Sequence, residues 1–180
     1  MKIVNIFDAV RDGTYDDFIK FYSNDVNAIS ENLGMNLLNL AVVNDKNKED
    51  KIKIIKFLIS KGIDINFKDK KYNRNALHNF YFNVLRPTSD YMITITQLLV
   101  ENGIDINALD NYHAVPLKYA ITIVKSPTDD IKEVYQYLLE HGADYNNKDD
   151  FGKTCIDYIK EYSWRNGVLN IIEEKNGHGK

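Results

Sequence analysis

Gly62-Ile63-Asp64-Ile65-Asn66 recurs unchanged in type at Gly103-Ile104-Asp105-Ile106-Asn107, and a close copy stands at Gly142-Ala143-Asp144-Tyr145-Asn146. Their glycines lie 41 and 39 residues apart, and each follows an apolar run with helical spacing, at 54–59, 95–100 and 134–139. Glycine just past a helix supplies the left-handed backbone that stops it. The Asp-x-Asn that follows can bond neighbouring amides and hold a turn. A second marker keeps the same period, with Leu38, Leu77, Leu117 and Ile156 spaced 39, 40 and 39 residues apart. Two markers on one period restrict the chain to a repeat array, in which each unit buries its apolar face on the next.

At these residues the chain resembles the ankyrin repeat. The family pattern runs Asp-x-x-Gly-x-Thr-Pro-Leu-His-x-Ala and later Leu-Leu-x-x-Gly-Ala-Asp-x-Asn. Leu77-His78, Pro116-Leu117 with Ala120, Gly152 with Thr154, and Gly142-Ala143-Asp144 keep parts of it, and the resemblance runs from about Asn5 to about Glu174. It implies an all-α ankyrin solenoid of about five helix pairs joined by short β-hairpins or turns. The units would be a cap over 1–28, repeats over 29–67, 68–108 and 109–147, and a closing cap over 148–175, with a disordered tail at 176–180. The period departs from the common ankyrin length of about 33 residues. The extra residues fall at 44–50, 83–90 and 124–130, between the helices of a pair. They read as surface loops, which lengthen at small entropic cost. Because they recur at one position, they also line one edge as a second candidate contact surface.

Composition narrows the function. Twenty-three basic and 26 acidic residues in 180 give a net charge of −3, which removes the main electrostatic case for a nucleic-acid binder. A 44% hydrophobic content fits a chain with a packed core. No stretch is long and apolar enough to span a membrane, and Asp8 interrupts any signal-peptide core. One cysteine, Cys155, cannot close an internal disulfide and fits a reducing, cytoplasmic setting. Cys155 stands at the proline position of the motif and reads as a small core residue rather than a nucleophile. The histidines are His78, His113, His141 and His178, with no metal-ligand spacing among them. His78 matches the family histidine that bonds the adjacent turn. Asp129-Asp130 reads as a helix N-cap and Asp149-Asp150 as a turn tip. We expect no catalysis, no metal and no cofactor.

What the resemblance implies is a concave face built from hairpin tips and inner helices. Register assigns Leu33, Tyr72, Tyr112 and Phe151 to the tips. It puts Leu40, Asn79, Tyr119 and Tyr158 on the inner helices, with Val43 and Phe82 three residues beyond Leu40 and Asn79. Arg74 joins Lys68–Lys71 as a basic cluster at an exposed hairpin tip. So many exposed aromatic positions point to a protein partner. The expected function is a non-enzymatic binding module, monomeric when unbound, that clamps one folded protein and blocks or sequesters it. Neither nucleic acid nor a membrane is expected as a partner. An immunity protein against a cognate toxin fits this description; a viral host-factor decoy or a regulatory scaffold is the alternative.

Overall fold

The computed structural model describes residues 2–177. His178 and the last part of the expected tail lie outside them. The chain is mostly helical, with helices α1 (Ile6–Asp12), α2 (Tyr15–Phe21), α3 (Leu37–Ala41), α4 (Lys48–Ser60), α5 (Ala76–Asn83), α6 (Ser89–Glu101), α7 (Pro116–Thr122), α8 (Lys132–Glu140), α9 (Cys155–Lys160) and α10 (Asn166–Gly177). Among the described residues the only strands are β1 (Ile29–Ser30) and β2 (Met35–Asn36), an antiparallel pair with Ile29 opposite Asn36. α10 includes Asn176 and Gly177, so the helix extends two residues past the expected start of the tail.

Two helical layers run side by side. α1, α3, α5, α7 and α9 pack in succession, and α2, α4, α6, α8 and α10 pack in a second series. Local chemistry starts the first series. Asn5, Asn36 and Asn75 each accept an amide hydrogen bond from the third helical residue, and Thr154 closes a capping box with Asp157, as Thr14 does with Asp17 at the start of α2 in the second series. α7 has no side-chain cap and begins with Pro116, whose fixed φ suits the first helical position. The second series stops in one way three times. The amides of Ile63, Ile104 and Ala143 reach back to the carbonyls of Leu58, Leu99 and Leu138, with Gly62, Gly103 and Gly142 left-handed.

The Asp-x-Asn segments do more than hold their own turns. Asn27, Asn66 and Asn107 each accept from the amide of the aspartate one unit on (Asp64, Asp105 and Asp144) at 2.6–2.8 Å. Asn66 and Asn107 also donate to the carbonyls of Gly103 and Gly142. These asparagines therefore form a polar ladder between units. Beneath it lies a continuous apolar core. Leu38, Leu77 and Leu117 are buried in it, while Ile156, in the last unit, is only partly covered.

Of the extra residues, 44–47, 84–88 and 124–128 lie in the loops after α3, α5 and α7, whereas 48–50 open α4, Asn83 ends α5, and Ser89 and Asp90 open α6. One expectation fails there. Asp129 and Asp130 do not cap α8 but form a 3-10 turn, Asp129–Ile131, that leads into it without a side-chain cap.

Candidate functional site

Each tip turns on a residue with positive φ: Gly34, Asn73, His113 and Gly152. Asparagine tolerates that conformation better than most residues, and histidine is also enriched there. An aspartate organises each of the three later tips. Asp69 Oδ1 accepts from the amides of Lys71 and Tyr72, Asp110 Oδ1 from Tyr112 and Ala114, and Asp149 Oδ1 from Phe151 and Lys153. Successive tips are then joined backbone to backbone, by Lys70 to Gly34, Asn111 to Tyr72 and Asp150 to Tyr112, each at 2.9–3.0 Å. The tip side chains therefore sit on a connected edge.

The second carboxylate oxygen reaches the inner helix. Tyr119 donates to Asp110 Oδ2 at 2.5 Å, Tyr158 donates to Asp149 Oδ2 at 2.6 Å, and Asn79 donates to Asp69 Oδ2 at 3.2 Å. Arg74 enters the first of these bonds. Its Nε lies 3.1 Å from Asp110 Oδ2, and its Nη2 donates to Tyr119 Oη at 2.9 Å. The guanidinium packs against three rings, 4.0 Å from the centroid of Phe82, 4.6 Å from Tyr119 and 4.8 Å from Tyr72. Burial pushes the Asp110 carboxyl up, but hydrogen bonds from Tyr119, two turn amides and Arg74 outweigh it and hold it below the usual carboxylate range. Burial and the neighbouring carboxylate together raise the Tyr119 hydroxyl, so it stays a donor.

These bonds correct part of the site expected from register. Arg74 is buried rather than exposed at a tip, because its charge is neutralised by Asp110 and its faces are covered by rings. Tyr119 and Asn79, each 2% exposed, are drawn inward by the turn aspartates, and Leu40 belongs to the core between units. Val43, Tyr72 and Tyr158 are half-buried. Leu33, Phe82, Tyr112 and Phe151 remain exposed, Phe151 most of all at 67%. Tyr72, Phe82, Tyr112 and Phe151 come together around a shallow depression of about 330 Å³ floored by Arg74 and Tyr119. Leu33, Leu40, Val43, Asn79 and Tyr158 do not line it.

Two lining residues escaped register reasoning, Lys118 and Ile123. Lys118 follows the anchor Leu117 and extends over the rings of Tyr119 and Tyr158, at 4.5 and 5.3 Å. Burial lowers its pKa against the pull of Asp149 and Asp110. Its place beside the anchor was visible in sequence; its reach across two units was not.

The groups with catalytic potential have structural surroundings. His78 is buried, with Nε2 2.9 Å from the Ala114 carbonyl of the next unit and Nδ1 2.8 Å from Asn75 Oδ1; burial lowers its pKa to about 4. The Cys155 thiol is buried and pushed up to about 12 by that burial, far from a thiolate nucleophile. No group of three or more metal-ligating side chains occurs among the described residues. No helix among them is long and apolar enough to cross a membrane.

No known family profile matches the chain. It is similar to a fowlpox virus (strain NVSL) protein named for its ankyrin repeats, with 28% identity over an alignment covering 62% of this chain and 31% of the viral protein. The chain thus spans about a third of that relative's length. With its repeated helix stops, paired helices and this match, the chain resembles the ankyrin-repeat family.

Proposed function

We propose that the chain is a five-unit ankyrin solenoid whose concave face binds one folded protein and thereby blocks or sequesters it. The observation that carries this reading is the exposure of Phe82, Tyr112 and Phe151 around one depression, beside a guanidinium already committed to structure. Three large rings left in water at neighbouring positions are a liability unless a partner covers them. Aromatic anchors of this kind carry most of the energy in protein interfaces. The floor is rigid, since Arg74, Asp110 and Tyr119 hold one another, so little ordering cost attaches to docking on it.

The unit boundaries we assign are 1–28, 29–67, 68–108, 109–147 and 148–175, and we take the protein to be cytoplasmic, monomeric when unbound and without catalysis. An immunity protein against a toxin and a viral decoy for a host factor make the same structural demand. Similarity to a fowlpox protein favours the second setting. A photo-crosslinking residue placed at Tyr112 or Phe151 in cells tests the binding face. We expect one discrete adduct from either position and none from the exposed Val4; adducts from Val4 alone would put the partner elsewhere.

A further inference from the structure

The inter-helix loops form a second surface, apart from the aromatic face. The Lys125 amide donates to the Leu85 carbonyl at 2.7 Å, and Thr128 Oγ1 reaches the Trp164 carbonyl at 3.4 Å, so loops of successive units are stitched together. Between them lies a depression of about 530 Å³ walled by Pro127, Tyr162 and Trp164, with Lys125 and Arg165 also lining it. Tyr162 and Trp164 are 53% and 50% exposed, which is high for rings packed on a guanidinium, 4.7 and 4.9 Å from its carbon.

Arg165 itself is only 6% exposed and is incompletely bonded. Nη1 donates to the Tyr158 carbonyl at 2.8 Å and lies 3.5 Å from Glu161. Nη2 has a long contact of 3.4 Å to the Thr122 carbonyl, and Nε has no partner among the described residues. The under-used edge, Nε with Nη2, is the one that a carboxylate bridges side-on with two parallel hydrogen bonds. Buried N–H groups are rarely left without an acceptor. Rings half in solvent can also change rotamer without unpacking the core, which opens a path to Nε.

We propose that this loop edge is a second docking surface that takes an acidic side chain of a protein partner, its carboxylate bridging Arg165 Nε and Nη2 while an adjacent apolar side chain rests on Trp164 and Tyr162. Glu161, 3.5 Å from Nη1, disfavours a doubly charged phosphate more than a singly charged carboxylate. The site is independent of the aromatic face and stands or falls separately from it.

Trp164 is the only tryptophan in the chain, so its emission reports on this edge alone. The test titrates the whole protein with acetyl-Leu-Glu-Leu amide and with acetyl-Leu-Gln-Leu amide. We expect a saturable change in emission and a dissociation constant about tenfold lower for the glutamate peptide. Arg165→Lys keeps the charge but lacks the side-on edge, and should erase that preference. If this buried variant fails to fold by circular dichroism, Tyr162→Ala, at a half-exposed ring, should instead weaken both peptides together. Tyr112→Ala with Phe151→Ala should leave the titration unchanged. Equal affinity for the two peptides, no saturable change with glutamate, tighter binding of the phosphoserine counterpart, or loss of the signal in the Tyr112/Phe151 variant would each overturn the proposal.

Discussion

Tyr119 and Tyr158 hold the same place in successive units, and both donate to the aspartate that organises their own tip, yet one is buried and the other half-exposed. The difference comes from the unit before. Arg74, just past the left-handed residue of its tip, reaches forward over Tyr119. One unit on, the corresponding residue is Ala114, which has nothing to extend over Tyr158. The cations above Tyr158 are lysines, Lys118 at 5.3 Å and Lys153 at 5.4 Å. Identical register thus yields a structural tyrosine in one unit and an accessible one in the next.

The two units should differ most when their turn aspartates are removed. Asp110→Ala leaves Arg74 buried without its counter-charge and should cost about 3–5 kcal/mol in urea unfolding at neutral pH. Asp149→Ala loses turn and tyrosine hydrogen bonds but strands no buried arginine, and should cost about 1–3 kcal/mol. Equal losses would mean that Arg74 is not what separates the two units. Leu77→Ala should cost about 2–5 kcal/mol, and Ile156→Ala less, since Ile156 is only partly covered. Removing one hydroxyl sharpens the contrast. Tyr119→Phe should lose about 1–2 kcal/mol and Tyr158→Phe less than about 1 kcal/mol; the reverse order would contradict the assigned network.

Stability should also depend on pH. His78 has a folded pKa of about 4 against an ordinary 6.5. Between these values the unfolded chain binds more protons, so stability should rise with pH from about 4 to 6.5. His78→Gln should flatten that window. Lys51, buried at the carbonyls of Val10 and Arg11, has its pKa lowered by burial from 10.5 to about 7. It should add a second rise from about 7 toward 10.5, absent in Lys51→Met.

Much of the fold could be read from sequence because its markers are local. Gly62, Gly103 and Gly142 stop helices through their own backbone, and the loop positions follow from the period. Asn73 and His113 replace glycine at two tips without changing the turn. The site was less legible, because burial on this face is decided between units about 40 residues apart. Arg74 looked like part of a solvated basic cluster, and only Asp110 and Tyr119, brought in by the next unit, bury it. Arg165 gave no signal at all, since its partners come from α9 and from the end of α7. Tyr112 and Phe151 are exposed at the tips that register assigned them, whereas Tyr72, at the equivalent position one unit earlier, is half-buried.

In the proposed function the exposed rings form the contact surface while the buried ones are scaffold. Tyr112→Ala combined with Phe151→Ala, assayed against the partner captured from the Tyr112 crosslink, tests that division directly. The urea midpoint should correspond to a stability change within about 0.5 kcal/mol, as for surface substitutions. Affinity should fall by about 2 kcal/mol or more, roughly 30-fold. A double variant that keeps full affinity, or one that unfolds, would contradict it.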